Sequence, residues 1–215
     1  MSCPSSFGVD LYWIPLGARG HVVRSSGKIF EALAAGLERR ERCDLSHSVL
    51  AVRVPEGRFV LEMAPALAED GARRGVVAEG AVGSRWARRL RIFRYEVRMW
   101  RDGTTAYEEA VAGPQRLTDD AVLAGRVLDL VPLVPTPVWG RDELGAGEMW
   151  TCNSLTSWAL AGSGLHGTSV RPPAGGRAPG WTAGLEVARR ARAVRRRDRP
   201  PREPDSSLAL ASGSG

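Results

Sequence analysis

Residues 149–160 read Met149-Trp150-Thr151-Cys152-Asn153-Ser154-Leu155-Thr156-Ser157-Trp158-Ala159-Leu160, the first turns of a helix that opens on Cys152 and ends at Gly162 and Gly164. About a hundred positions upstream, Ser46-His47-Ser48-Val49-Leu50-Ala51-Val52 reads as a strand opening on a histidine. Pro55-Glu56-Gly57 turns the chain, and Phe59-Val60-Leu61-Glu62-Met63-Ala64 reads as the hairpin partner. The hairpin alternates enough to be half buried. These segments predict an α+β fold, an antiparallel sheet packed against a cysteine-bearing helix.

A thiol at a helix N-terminus, a histidine and a carboxylate are the parts of a cysteine nucleophile site. Unpaired N–H groups and the positive end of the helix dipole stabilise a thiolate there. The same groups stabilise an oxyanion during acyl transfer. His47 then serves as general base, because imidazole titrates near neutrality. Each residue also has a plainer reading. Cys152 can be a buried structural cysteine, the commonest fate of the residue, and His47 a strand-edge histidine with one hydrogen bond. Glu62, alone in an apolar strand, is costly to bury unpaired; its partner is either His47 across the hairpin or an arginine. His21, which opens an earlier strand, is a rival base. Ser154 is either a structural N-terminal serine or a competing hydroxyl.

The remaining elements read more simply. Leu11 to Leu16 is a short extended segment, Gly20 to Arg24 a strand, and Lys28 to Arg40 a helix with Ile29, Ala32, Leu33 and Leu37 on one face. Gly75 to Gly80 starts a short strand. Leu90 to Arg98 alternates with a slip at Phe93 and predicts a long strand, turned at Asp102-Gly103. Thr118-Asp119-Asp120 caps a helix running to about Val131, stopped by Pro132, Pro135 and Pro137. Gly180-Trp181 opens a last helix. Residues 1–8 read as a loose end, residues 9–193 as one domain, and residues 194–215, rich in Arg, Pro, Ser and Gly, as a disordered tail.

Composition narrows the function classes. The chain of 215 residues suffices for one domain with a real core. Its net charge of +6 is concentrated: residues 186–205 hold eight arginines against four acids, which accounts for +4. The body is therefore not a strongly basic nucleic-acid binder, and no specific nucleic-acid partner is expected. The arginine cluster from Arg189 to Arg197 is a solvated helix end or a contact for nucleic acid or anionic membrane. Three sparse cysteines, Cys3, Cys43 and Cys152, argue against a disulfide framework and for a reducing, cytoplasmic compartment. The stretch Met1 to Gly8 lacks the form of a secretory signal. The most apolar run, Ala121 to Trp139, holds Arg126, Asp129 and three prolines, so no transmembrane segment is expected. No four-ligand zinc pattern is present, and neither a metal nor a cofactor is expected. Of seven tryptophans, Trp139, Trp150 and Trp158 bracket the cysteine. They read as core packing or as the walls of an apolar slot for an acyl or peptide group.

The order of the three segments resembles the circularly permuted form of the NlpC-type, papain-like cysteine hydrolases, similar to YiiX-type proteins and the lecithin–retinol acyltransferase group. Ser46 to Val52 resembles the histidine strand, Phe59 to Ala64 the next strand with its polar residue at Glu62, and Thr151 to Leu155 the nucleophile helix. The resemblance covers residues 20–165. It implies a papain-like fold and a thiol hydrolase or acyltransferase acting on an amide or ester of a small peptide-like or lipid-acyl substrate. Cys152 would attack the carbonyl, His47 would carry the proton and Glu62 would orient the imidazole. The sequence departs from the pattern in having no tyrosine or second histidine beside the site. The alternative is a catalytically silent binding module on the same fold.

Overall fold

The computed structural model describes residues 7–15, 44–66, 75–102 and 113–198. The strand expected at Gly20–Arg24, with His21, and the helix expected at Lys28–Arg40 lie outside them, as do Cys3, Cys43 and residues 199–215. The architecture is α+β. Strands β1 (Gly8–Pro15), β2 (Asp44–Val54), β3 (Gly57–Pro65), β4 (Val76–Ala81), β5 (Arg94–Arg101) and β6 (Gln115–Thr118) form an antiparallel sheet in the order β4-β5-β3-β2-β1-β6. A two-residue strand β7 (Gly176–Arg177) runs parallel to the start of β2. The described helices are α1 (Ala121–Leu130), α2 (Cys152–Ser163) and α3 (Trp181–Arg197). No helix among the described residues is long and apolar enough to cross a membrane.

Side chains alternate across a strand, so the sheet has two chemically distinct faces. On one, Val9, Leu11 and Trp13 of β1, Leu50, Val52 and Val54 of β2, Leu61 and Met63 of β3, and Tyr95 and Val97 of β5 form the main core with residues of all three helices. On the other, Tyr12, Ile14, Val49, Ala51 and Val60 form a smaller cluster with Trp100. The expectation that the β2–β3 hairpin is half buried is corrected for β2. Val49, Leu50, Ala51 and Val52 are all buried, because β2 lies between β1 and β3 with both of its faces covered.

Two further boundaries differ from the sequence reading. The strand expected from Leu90 starts only at Arg94; Trp86–Arg89 and Arg91–Phe93 are single 3₁₀ turns. Leu90 and Ile92 have the opposite parity to Tyr95 and Val97, so one continuous strand would send the two sets to opposite faces. The chain instead leaves Leu90, Ile92 and Phe93 exposed. The last helix runs to Arg197, beyond the expected tail boundary at Val194. Its middle is ion-paired along the helix: Glu186 accepts from Arg189 and Arg190, each at 2.7 Å. The caps follow expectation elsewhere. The Asp120 carboxylate accepts from the N–H groups of Val122 and Leu123, and Gly164 ends α2 in the left-handed conformation. Strand β6 had no sequence signal of its own.

Candidate functional site

Helix α2 is the hub of the molecule, and polar groups in its first turn fix it in place. Thr151 and Ser154 form a reciprocal capping box, and the Ser154 hydroxyl also donates to Gly180 O at 2.7 Å. This resolves Ser154 as a structural serine. The Asn153 amide donates to Ser46 O (3.0 Å) and Pro179 O (3.1 Å), while its Oδ1 accepts from the Ser48 hydroxyl at 2.8 Å. Ser48 also meets the Thr156 hydroxyl at 2.9 Å. Helix α3 then closes over this turn, and its own first N–H groups are taken by the Glu148 carboxylate. The approach of α3 requires glycine. A Cβ on Gly184 would stand 2.1 Å from both Ser154 O and Ser157 Oγ. At Gly180, with φ of +85°, a Cβ would come within 2.4 Å of Thr151 Oγ1.

Cys152 is the first residue of α2, as the sequence predicts, and α2 packs against the strand that carries His47. The thiol, however, is sealed in, with the residue only 3% exposed. Burial pushes its pKa up to about 12, although the N–H groups of Asn153 and Ser48 and the Thr151 side chain pull it the other way. At neutral pH it holds its proton.

The other two candidates stand on the opposite face of the sheet. Trp13 pairs with Ser48 and Ile14 with His47 in an unbroken register. Cross-strand partners share a face. Trp13 and Ser48 face α2, with Ser48 bonded to Asn153; His47 shares the face of Ile14, Val49 and Ala51. Glu62 follows the parity of Val60 and lies opposite Arg98 of β5, again on the face away from α2. Its carboxylate is 3.8 Å from the Arg98 guanidinium, which also donates to Glu96 at 2.8–2.9 Å and lies over the Trp100 ring. Of the two partners open to Glu62, an arginine stands beside it, and His47 shares its face of the sheet. The arrangement Cys152, His47, Glu62 is therefore not assembled as a triad: the sheet stands between the thiol and the other two side chains.

The tryptophans that bracket the cysteine are core. Trp150 and Trp158 are buried, and Trp139 packs edge-on against Tyr95 at 5.7 Å. Among the described residues no cluster of three or more His, Cys, Asp or Glu is placed to hold a metal ion.

Two sets of residues escaped the sequence reading. Ser48 and Asn153 are the real link between strand and helix, and only their flanking positions beside His47 and Cys152 pointed to them. Asp10, buried in β1, binds Arg53 of β2 and Arg116 of β6, the latter at 3.0 Å. A lone acid between Val9 and Leu11 is the signal that marks it, the same signal that singled out Glu62. The chain matches no family model, no curated protein and no solved structure.

Proposed function

We propose that this chain is a binding module, a papain-like α+β domain of the permuted NlpC type in which the cysteine is structural. The observation that carries this reading is the placement of Cys152: buried, with its thiol pushed up to about 12, and separated by the sheet from His47 and Glu62. A nucleophile needs its base within hydrogen-bond reach and a path for substrate. Here the helix start is occupied by its own capping groups.

One feature favours the rival reading, a thiol hydrolase acting on an amide or ester: the N–H groups of Asn153 and Ser48 both bear on the sulfur. Alkylation of Cys152 by iodoacetamide, followed by peptide mass spectrometry, separates the two. A thiol at about 12 carries roughly three orders of magnitude less thiolate at neutral pH than one at about 8.5. The folded protein should alkylate at Cys152 slower than the urea-unfolded chain by that order, and His47→Ala should leave the rate unchanged. Fast alkylation that His47→Ala suppresses would restore the Cys-His pair and the hydrolase.

A further inference from the structure

The connection between β4 and β5 joins two properties that rarely coincide on a surface. Residues 85–94, Arg85-Trp86-Ala87-Arg88-Arg89-Leu90-Arg91-Ile92-Phe93-Arg94, contain five arginines, four large apolar side chains and no acid. None of the large side chains is tucked away: Trp86 is 73% exposed, Leu90 57% and Ile92 54%, with Phe93 beside them. Side chains this open crown the two 3₁₀ turns and do not line a groove. A contiguous exposed apolar patch of this kind marks an interaction site.

The turns are held in place by their own arginines. Arg94 donates to the carbonyl of Arg88 at 2.5 Å, Arg91 to that of Ala66, and Arg85 forms a two-pronged pair with Glu143. Glu143 belongs to the loop whose Leu144 and Gly145 carbonyls accept from Arg190 of α3. Arg88 and Arg89 are exposed and have no side-chain partner among the described residues. The patch is thus an apolar crown, hydrogen-bonded to the body of the domain and rimmed by positive charge.

We propose that this connection is a membrane-docking surface, one that seats on a bilayer containing anionic phospholipid. Trp86, Leu90, Ile92 and Phe93 enter the boundary between headgroups and acyl chains, and Arg88 and Arg89 meet the lipid phosphates. Bare aliphatic tips such as Leu90 and Ile92 have no use on a nucleic-acid backbone, where cations alone give the affinity. An acidic protein segment would need a groove to gain from them. The proposal stands whether or not Cys152 reacts.

The test is co-sedimentation of the full chain with phosphatidylcholine vesicles, with and without phosphatidylserine. Binding is expected only with phosphatidylserine and should weaken as salt rises. Arg88→Gln and Arg89→Gln should each lower the affinity about fivefold. Trp86→Ser combined with Ile92→Ser should lower it by more than about tenfold while the circular dichroism spectrum and melting temperature stay unchanged. Brominated lipid should quench the fluorescence of the parent protein more than that of Trp86→Phe. Failure to sediment, equal binding to phosphatidylcholine alone, or binding untouched by these variants would overturn the proposal. So would tighter binding to single-stranded RNA or to an acidic peptide than to the vesicles.

Discussion

Asn153 should be the polar side chain whose loss hurts most. Its amide serves Ser46 O, and the residue opposite Ser46 in β1 is Pro15, which has no N–H to offer. Asn153→Ala therefore leaves the Ser46 carbonyl without this donor. The other partners keep a bond each: Ser48 still has Thr156, and Pro179 O still has the Thr151 hydroxyl at 2.6 Å. One orphaned buried carbonyl, plus the small void, amounts to a destabilisation of about 2–3 kcal/mol. For a chain of this size that is a fall in melting temperature of about 4–12 °C. Asn153→Asp should be worse at neutral pH, because it sets an oxygen at 3.0–3.1 Å from two carbonyl oxygens. The folded state favours the protonated carboxyl, so its folded pKa lies above the unfolded value of about 3.9. Below about pH 3.9 a single O–H still replaces the two N–H donors, so part of the loss remains; the added ionisation penalty is absent there, builds up as pH rises from about 3.9 and is complete once pH passes the folded pKa. Urea denaturation of both variants across pH reads the result. An Asn153→Asp protein as stable as the parent at neutral pH, or an Asn153→Ala loss within about 0.5 kcal/mol, would refute the account of how α2 is anchored.

Gly184→Ala should lower stability by at least about 1–3 kcal/mol, since the new Cβ meets a backbone carbonyl at 2.1 Å and must push α3 off α2; thermal denaturation of the purified variant checks it. The buried thiol should make the protein alkali-sensitive. Below about pH 8.5 both states keep the proton, whereas above it the unfolded chain ionises first, so native stability falls by about 2 kcal/mol between about pH 8.5 and about pH 10. Cys152→Ala should remove that part of the slope, and an unchanged alkaline profile would show that the thiol is not protonated by burial.

The sequence made the elements legible and left their faces illegible. The capped start of α1, the cysteine turn of α2 and the β2–β3 hairpin were readable because turn and cap chemistry is local. The side of the sheet on which His47 lies was not. In a half-buried strand, parity tells inside from outside, but β2 is central, and both Val49-Ala51 and Leu50-Val52 are apolar. Nothing in that pattern says which set meets the helix. The deciding fact is the pair Ser48–Asn153, a contact between residues 105 apart in sequence. The same limit explains Leu90 to Phe93, where period-two apolar spacing mimics a strand but carries the wrong phase for the one that follows it.

The tie between β2 and α2 also sets an order for the birth of the protein. Ser48 must wait for Asn153 and Thr156, which follow it by 105 and 108 residues. Strand β1 likewise completes its outer pairing only when β6 arrives. At about 5–20 residues per second, Leu50, Val52, Leu61 and Met63 leave the ribosome roughly 5–20 s before the helix that covers them. During that interval the early hairpin presents an uncovered apolar face, the kind of surface that chaperones hold. Folding of this chain is thus gated by synthesis of its later helices, and a ribosome pause set after the β2–β3 hairpin has emerged but before α2 is made should leave a nascent chain that binds chaperone more than one released beyond α3.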